Sequence, residues 1–121
     1  MTSPVQLAEI IENGRHTFTT EDELQASIHA QLTTLGADAH REVRLARGLG
    51  RIDLLLGTVG IEVKTKGPAS TVARQLLRYT HAEEFTHLLL VTTNARHVQA
   101  INALEPARIP ITAVYLGEAA L

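Results

Sequence analysis

The chain has 121 residues, of which 45% are apolar and 20% are charged, a composition typical of one globular domain rather than of a disordered or fibrous polypeptide. Aromatic residues make up only 3% and cysteine is absent, which argues against a base-stacking platform of the kind found in single-strand RNA-binding modules and excludes disulfides and thiolate zinc sites. The formal net charge is −2 at pH 7, so the chain is not a uniformly basic nucleic-acid binder.

The first two predicted elements are helices. Ser3 to Glu12 is predicted to form a short helix that ends near Asn13-Gly14. A second helix is predicted from about Glu21 to Leu35 and is stopped by Gly36. Its inward face is an apolar stripe at helical spacing, made of Leu24, Ile28, Leu32 and Leu35.

Three short strands separated by glycine turns follow these helices. They are predicted at Glu42 to Ala46, Ile52 to Leu56 and Val59 to Lys64. The rest of the chain alternates helix and strand, with predicted elements at Ser70 to Glu84, His87 to Thr92, Ala95 to Leu104 and Ile111 to Leu116. This order predicts an α/β fold with a mixed central sheet flanked by helices, in which a right-handed crossover joins two parallel strands.

Nothing in the sequence indicates a domain boundary or a membrane span. The chain has no repeat and no linker rich in proline, glycine or serine. Its longest apolar run, Leu88 to Val91, is far shorter than the roughly 20 residues that span a bilayer. Met1 to Asn13 lacks the basic start and apolar stretch of a signal peptide. We therefore expect a single cytoplasmic domain over residues 1–121, with its core at about 20–116.

Charged residues interrupt two strands that are otherwise apolar. Glu62 and Lys64 are two positions apart, so they share one face of a strand about 6 to 7 Å from each other. If the two strands form a hairpin, Asp53 lies across from Glu62, and two carboxylates that close repel unless a cation lies between them. Hard oxygen ligands of this kind select Mg²⁺ or Mn²⁺. A purely structural salt bridge between Lys64 and either carboxylate is the alternative.

A metal held by two carboxylates keeps positions free for water and for a substrate phosphate. The ion would polarise the phosphate and activate a water, while Lys64 would orient that water or stabilise the charged transition state. The six histidines show no HxH or HExxH spacing, so a histidine-based zinc site is not expected. The pattern therefore predicts a phosphodiester hydrolase.

Asp53, followed after eight residues by Glu62-Val63-Lys64, resembles the D...(D/E)xK core of the PD-(D/E)xK, or restriction-endonuclease-like, nuclease superfamily. Downstream, Gln75 and Tyr79 are similar to the QxxxY element of RecB-like and lambda-exonuclease-like members. The resemblance covers about Glu21 to Thr92. It implies an αβββαβ core, with Gln75 and Tyr79 on one helix face directed toward the bound phosphate, although a surface amide and a core aromatic residue are the alternative. The residue before Asp53 is Ile52 where the superfamily motif has proline.

Superfamily members often carry a glutamate on the first core helix beside the metal, and two candidates are present here. Glu21 precedes Leu24 and Ile28 by three and seven residues, which places it on the inward stripe. Glu23 instead fits a capping box with Thr20 as the N-cap. We therefore expect Glu21 to be an auxiliary acid and a third metal ligand beside Asp53 and Glu62.

The basic residues are concentrated in the middle of the chain. Residues 41–78 hold eight basic and three acidic residues, whereas the remainder holds three basic and ten acidic ones. A local net charge of +5 can bind phosphates, or it can be an ordinary solvated surface. The predicted phosphate contacts are Arg51, Lys66, Arg74 and Arg78, of which the last two are otherwise solvated helix charges.

Two functions are consistent with these features. The first is a small Mg²⁺- or Mn²⁺-dependent deoxyribonuclease, and RNA remains open as a substrate because the site contacts phosphate rather than sugar. The second is a nuclease-like domain that binds DNA or a protein partner without cutting it. A two-fold dimer is also expected, because two copies would double the basic surface and the apolar strand Ile111 to Leu116 is suited to a sheet edge.

Overall fold

The computed structural model describes residues 2–117, which form four helices around a five-stranded sheet. In chain order the elements are α1 (Pro4–Asn13), α2 (Glu21–Thr34), β1 (Ala39–Arg44), β2 (Arg51–Leu56), β3 (Val59–Lys64), α3 (Ala69–Tyr79), β4 (His87–Thr92), α4 (Ala95–Asn102) and β5 (Ile111–Tyr115). All nine predicted elements are present in the predicted order. Within the described residues, no helix combines the length and the apolarity needed to cross a membrane.

The first strand is displaced from its predicted position at Glu42 to Ala46 and occupies Ala39–Arg44. The chain enters the strand early because α2 ends in a Schellman motif, with Gly36 in the left-handed region at a φ of 81°. The strand ends early because Leu45 donates its N–H to the carbonyl of Gly50, which closes a turn around a short 3₁₀ segment.

The third helix was predicted to reach Glu84, but it ends at Tyr79. The Thr80 hydroxyl donates to the carbonyl of Leu77 at 2.6 Å, a local bond that competes with continuation of the helix. The chain then turns so that Ala82 and Phe85 enter the core. All other ends lie within two residues of their predicted positions.

The sheet is mixed, as predicted, with the strand order β1-β2-β3-β4-β5. The pairs β1–β2 and β2–β3 are antiparallel, whereas β3–β4 and β4–β5 are parallel. The predicted hairpin of the second and third strands and the predicted parallel pairing across α3 are therefore confirmed. The predicted edge position of the last strand is also confirmed.

Both faces of the sheet are covered. One apolar cluster contains residues of α1 and α2 and includes Leu54, Ile61 and Leu89. The other contains residues of α3 and α4 and includes Ile52, Leu76 and Leu90. β4 contributes to both clusters, and residues 59–63 of β3 are all buried. A charged residue in the interior of either strand is therefore removed from water.

Candidate functional site

Strands β1 and β2 lose their regular pairing at one position, which is occupied by Glu42 on β1 and Asp53 on β2. The register pairs the residues on both sides of Glu42 and Asp53, but not those two residues with each other. Leu54 packs in the cluster under α1 and α2, whereas Ile52 packs in the cluster under α3 and α4. Residues two apart on a regular strand share a face, so β2 rotates at Asp53.

This rotation places the Asp53 carboxylate in the gap between β2 and β3. The backbone pairing of these strands extends only as far as Leu54 and Ile61. Beyond that point Val63 N–H donates to Asp53 Oδ2 at 2.8 Å, and Asp53 N–H donates to Glu62 Oε1 at 3.3 Å. Side-chain oxygens therefore replace backbone carbonyls as acceptors, and Asp53 and Glu62 are adjacent.

Lys64 completes the group at the carboxyl end of β3. Its Nζ lies 3.4 Å from Glu62 Oε2, so the predicted sharing of one face by these two residues is confirmed. The Glu62 side chain is 3% exposed and that of Lys64 is 22% exposed. The lysine therefore lies between the buried carboxylate and solvent.

Burial changes the acidity of both carboxyl groups. The pKa of Glu62 is raised from 4.5 to about 8, mainly because burial removes the carboxylate from water and also because the charge of Asp53 raises the pKa more than Lys64 lowers it. Burial also raises the pKa of Asp53, although the hydrogen bond from Val63 and the charge of Lys64 oppose the shift. The buried carboxylate of Glu62 and the partly buried carboxylate of Asp53 thus share one cationic side chain, and the site is short of positive charge.

The structure distinguishes the two glutamates at the start of α2. Glu23 forms the predicted capping box, in which its Oε1 accepts from the N–H of Thr20 at 3.0 Å. Glu21 Oε1 instead accepts from the N–H of Thr65, directly after β3, at 2.8 Å. The charge of Glu21 contributes to the raised pKa of Asp53, so Glu21 borders the site and Glu23 does not.

The three predicted metal ligands do not form one cluster. Within residues 2–117, no three Asp, Glu or His side chains are arranged to hold a metal ion, and Glu21 is engaged by the backbone of Thr65. The donors brought together are the carboxylates of Asp53 and Glu62. Two oxygen donors that repel each other fit Mg²⁺ or Mn²⁺, which keep several waters and take further oxygens from a substrate phosphate.

Gln75 and Tyr79 contact each other, as their helical spacing predicts. Gln75 Nε2 donates to the Tyr79 hydroxyl at 3.1 Å, and that hydroxyl donates to the Arg51 carbonyl at 3.2 Å. Tyr79 is 2% exposed, and a Cβ at Gly50 would lie 2.7 Å from its hydroxyl. In the described part of the chain, neither side chain hydrogen bonds to Asp53. The contacts of Tyr79 thus fix the start of β2.

The four predicted phosphate contacts are all exposed. Arg78 donates its Nε–H to the carbonyl of Leu49 at 3.2 Å. Arg51 Nη1 lies 3.7 Å from a carboxylate oxygen of Glu42. A side chain must face solvent to contact a phosphate. All four residues meet this requirement: Arg51, Lys66, Arg74 and Arg78.

Sequence reasoning missed Gln25, a buried amide of α2 that supports the distorted strand. Its Nε2 donates to the Asp53 carbonyl at 3.1 Å, and its Oε1 accepts from Arg41 Nη2 at 2.9 Å. The residue is 4% exposed. A signal was present, because Gln25 lies four positions after Glu21 and next to Leu24, on the edge of the inward stripe.

His97 was also missed, and it anchors the loop that follows β3. The ring is fully buried, and its Nε2–H donates to the carbonyl of Gly67 at 2.8 Å. Its other ring nitrogen, Nδ1, hydrogen bonds with the Thr92 hydroxyl at 2.9 Å. No motif spacing singles out this residue, since both partners come from other elements.

No protein-family model, no curated protein and no solved structure matches this chain. The contacts described above are therefore the basis for a functional proposal.

Proposed function

We propose that the protein is a divalent-metal-dependent nuclease that hydrolyses phosphodiester bonds in DNA. The observation that carries the proposal is the adjacent pair formed by the buried Glu62 and the partly buried Asp53, with Lys64 Nζ 3.4 Å from Glu62. Burying two adjacent ionisable carboxylates destabilises the fold unless a cation or a reaction uses them. Strongly shifted pKa values of this kind are concentrated at functional sites.

Asp53 and Glu62 are the residues that would hold Mg²⁺ or Mn²⁺, with Glu21 as an auxiliary acid at the border of the site. When bound, such an ion supplies Lewis acidity toward a phosphate and toward water. Lys64 orients the attacking water and offsets the negative charge that develops on the phosphate. Its partial exposure lets it meet both the buried carboxylates and a substrate in solvent.

The element order supports assignment to a restriction-endonuclease-like core. The run from α2 through β1, β2, β3 and α3 to β4 has the αβββαβ order implied by the sequence resemblance. The charged triad lies on β2 and β3 of this run. The QxxxY resemblance adds less support, because Gln75 and Tyr79 bond to each other and to the Arg51 carbonyl.

Charge placement supports a nucleic-acid substrate. Residues 41–78 carry a net charge of +5 in a chain whose net charge is −2, so positive charge is concentrated in the segment that carries Asp53, Glu62 and Lys64. Arg41 and Arg47 of this segment pair with Asp22 and Glu83. The four predicted contact residues of this segment are exposed. DNA is the proposed substrate. Cleavage of an RNA of the same sequence is measured for comparison.

The proposal is tested by incubating the purified protein with end-labelled linear DNA, closed circular DNA and matched RNA, in Mg²⁺, in Mn²⁺ and in EDTA. We expect cleavage of DNA in the presence of metal and none in EDTA. Loss of label as mononucleotides would identify an exonuclease, and nicking of the circle would identify an endonuclease. Intact DNA under every metal condition would overturn the proposal.

A second candidate is a nuclease-like module that binds DNA or a protein without cutting it. The observation that favours it is that Lys64 already pairs with Glu62, while Asp53 accepts a hydrogen bond from the Val63 backbone. Protein groups thus provide partners for both carboxylates. Calorimetry with Mn²⁺ separates the two candidates, because the nuclease binds the ion through Asp53. Salt-sensitive DNA binding without metal binding or hydrolysis would favour the module.

A further inference from the structure

Two arginines face each other across β1 and β2, at the end of the sheet where the carboxylates lie. The register pairs Arg44 directly with Arg51, so their Cβ atoms lie about 5 Å apart. Like charges in directly opposite positions destabilise a strand pair. An arginine pair in this position therefore favours a ligand that supplies negative charge.

The other two arginines of this region are used by the protein itself. Arg41 donates to the side chain of Gln25 at 2.9 Å and so supports the strand carrying Asp53. Arg47 donates to the carbonyl of His81 at 2.9 Å and lies against α3. Both are therefore committed to structural contacts.

Arg44 and Arg51 are not committed in this way. Among residues 2–117, no acidic side chain lies within 4.0 Å of Arg44. Arg51 has Glu42 at 3.7 Å, but their side chains are 58% and 45% exposed, and a surface ion pair of this kind contributes little to stability. An external anion therefore meets no acidic competitor at Arg44 among these residues and has to displace only a weak surface pair at Arg51.

Their direction follows from the rotation of the strands. Val43 and Ile52 pack in the cluster under α3, so the adjacent residues, Arg44 and Arg51, project from the opposite face. Both are exposed there. Arg51 and Asp53 both lie on β2, two positions apart, so the arginine pair is at the same end of the sheet as Asp53.

We propose that Arg44 and Arg51 form a clamp for one backbone phosphate of a nucleic acid bound at the end of the sheet that carries Asp53. The planar guanidinium group donates two parallel hydrogen bonds to a phosphate, and two such groups from adjacent strands can hold it from both sides. Glu42 weakens the clamp in the free protein by occupying Arg51. The choice of nucleic acid as the ligand rests on the proposed function, but the clamp does not require that the site cuts.

The clamp is tested by fluorescence anisotropy with a labelled 20-base-pair DNA duplex in EDTA, where cleavage plays no part. We expect Arg44→Gln and Arg51→Gln each to weaken binding roughly three- to tenfold and to reduce the salt slope by about 1. Glu42→Gln should strengthen binding, because it releases Arg51. Arg108→Gln is the matched control for loss of one exposed positive charge. Competition with inorganic phosphate shows whether free phosphate is the preferred ligand.

Binding by both arginine variants that equals binding by the Arg108→Gln control would overturn the clamp. So would a wild-type protein that fails to bind the duplex, or that releases it at low millimolar phosphate. A protein that binds DNA through these arginines but never cleaves it would contradict the proposed nuclease function and leave the clamp supported. The two proposals therefore fail in different experiments.

Discussion

Glu42 and Asp53 lie opposite each other where β1 and β2 lose their pairing, and Glu42 has a left-handed φ of 52°. On the other side of β2, Asp53 Oδ2 accepts the Val63 N–H at 2.8 Å. A residue other than glycine in the left-handed region costs about 1 kcal/mol or more. The fold thus contains a strained backbone conformation at Glu42, on the edge strand β1, opposite the residue whose carboxylate bonds to the β3 backbone, Asp53.

The backbone strain at Glu42 predicts opposite effects for two substitutions. Glu42→Gly should leave stability equal to wild type or raise it by up to about 1 kcal/mol, because glycine adopts positive φ freely. Glu42→Val should lower stability by about 1 to 2 kcal/mol, because a β-branched residue is disfavoured there. Urea unfolding measures both, with His40→Val as the control on the same exposed strand. A Glu42→Val protein as stable as the control would contradict the assignment.

The raised pKa of Glu62 predicts a pH dependence of stability in metal-free protein. The folded state keeps a proton on Glu62 between about pH 4.5 and about pH 8, where the unfolded chain has lost it. This contribution to stability is therefore complete below pH 4.5 and disappears as the pH rises through 8. Glu62→Gln should lose less stability than wild type between pH 5 and pH 8 in urea unfolding.

The exposed Glu105 provides a matched control for this measurement, since Glu105→Gln should keep the wild-type dependence on pH. Added Mn²⁺ should stabilise the wild-type protein more at pH 8 than at pH 5, because the metal binds the ionised pair. Equal slopes for wild type and Glu62→Gln would show that burial of this carboxyl has no effect on its acidity.

The contacts of Tyr79 predict a structural role for its hydroxyl. Tyr79→Phe leaves the carbonyl of Arg51 and the amide of Gln75 without this partner, so it should lower stability by about 1 to 3 kcal/mol. Cleavage per folded molecule should change less than about threefold, since no transition-state interaction is lost. If Tyr79→Phe has wild-type stability but its cleavage rate falls more than tenfold, Gln75 and Tyr79 would instead act at the substrate phosphate, as in the QxxxY element.

The edge strand β5 predicts self-association into a two-fold dimer. Its residues include no charge and no proline, and Thr112 and Tyr115 are exposed, whereas the opposite edge, β1, carries His40, Arg41, Glu42 and Arg44. Light scattering should give twice the 13.2 kDa chain mass. Thr112→Lys with Tyr115→Lys should return the monomer, because lysine on an edge discourages pairing. A wild-type mass of 13.2 kDa at high concentration with DNA bound would refute the dimer.

Much of the fold could be predicted because periodicity and glycine turns report local conformation directly. The hairpin that brings Asp53 toward Glu62 follows from two apolar runs with a glycine turn between them. The choice of Glu21 over Glu23 could be made because a capping box has a fixed spacing. These signals all lie within a few residues of the features they predict.

The remaining features depend on tertiary contacts that no local pattern encodes. The rotation of β2 at Asp53 depends on the conformation of Glu42 in another strand. Gln25 becomes a support only when α2 lies over that strand, and His97 becomes an anchor only when α4 lies beside the Gly67 loop. The helical spacing marks Gln25 as lying at the edge of the inward stripe, but the partners of Gln25 and His97 lie in distant parts of the sequence. Their roles could therefore not be inferred from the sequence alone.

The most direct test of the proposed nuclease is the single-turnover rate of DNA cleavage in Mn²⁺ by wild type, Asp53→Asn and Lys64→Gln. Asp38→Asn is the matched control, since its side chain is 92% exposed and Asp38 precedes β1. Both site variants should lose at least about 100-fold in rate, because each removes a metal ligand or the group that stabilises the transition-state charge. The control should cleave at the wild-type rate. Equal rates for wild type and Asp53→Asn would show that cleavage does not use this site.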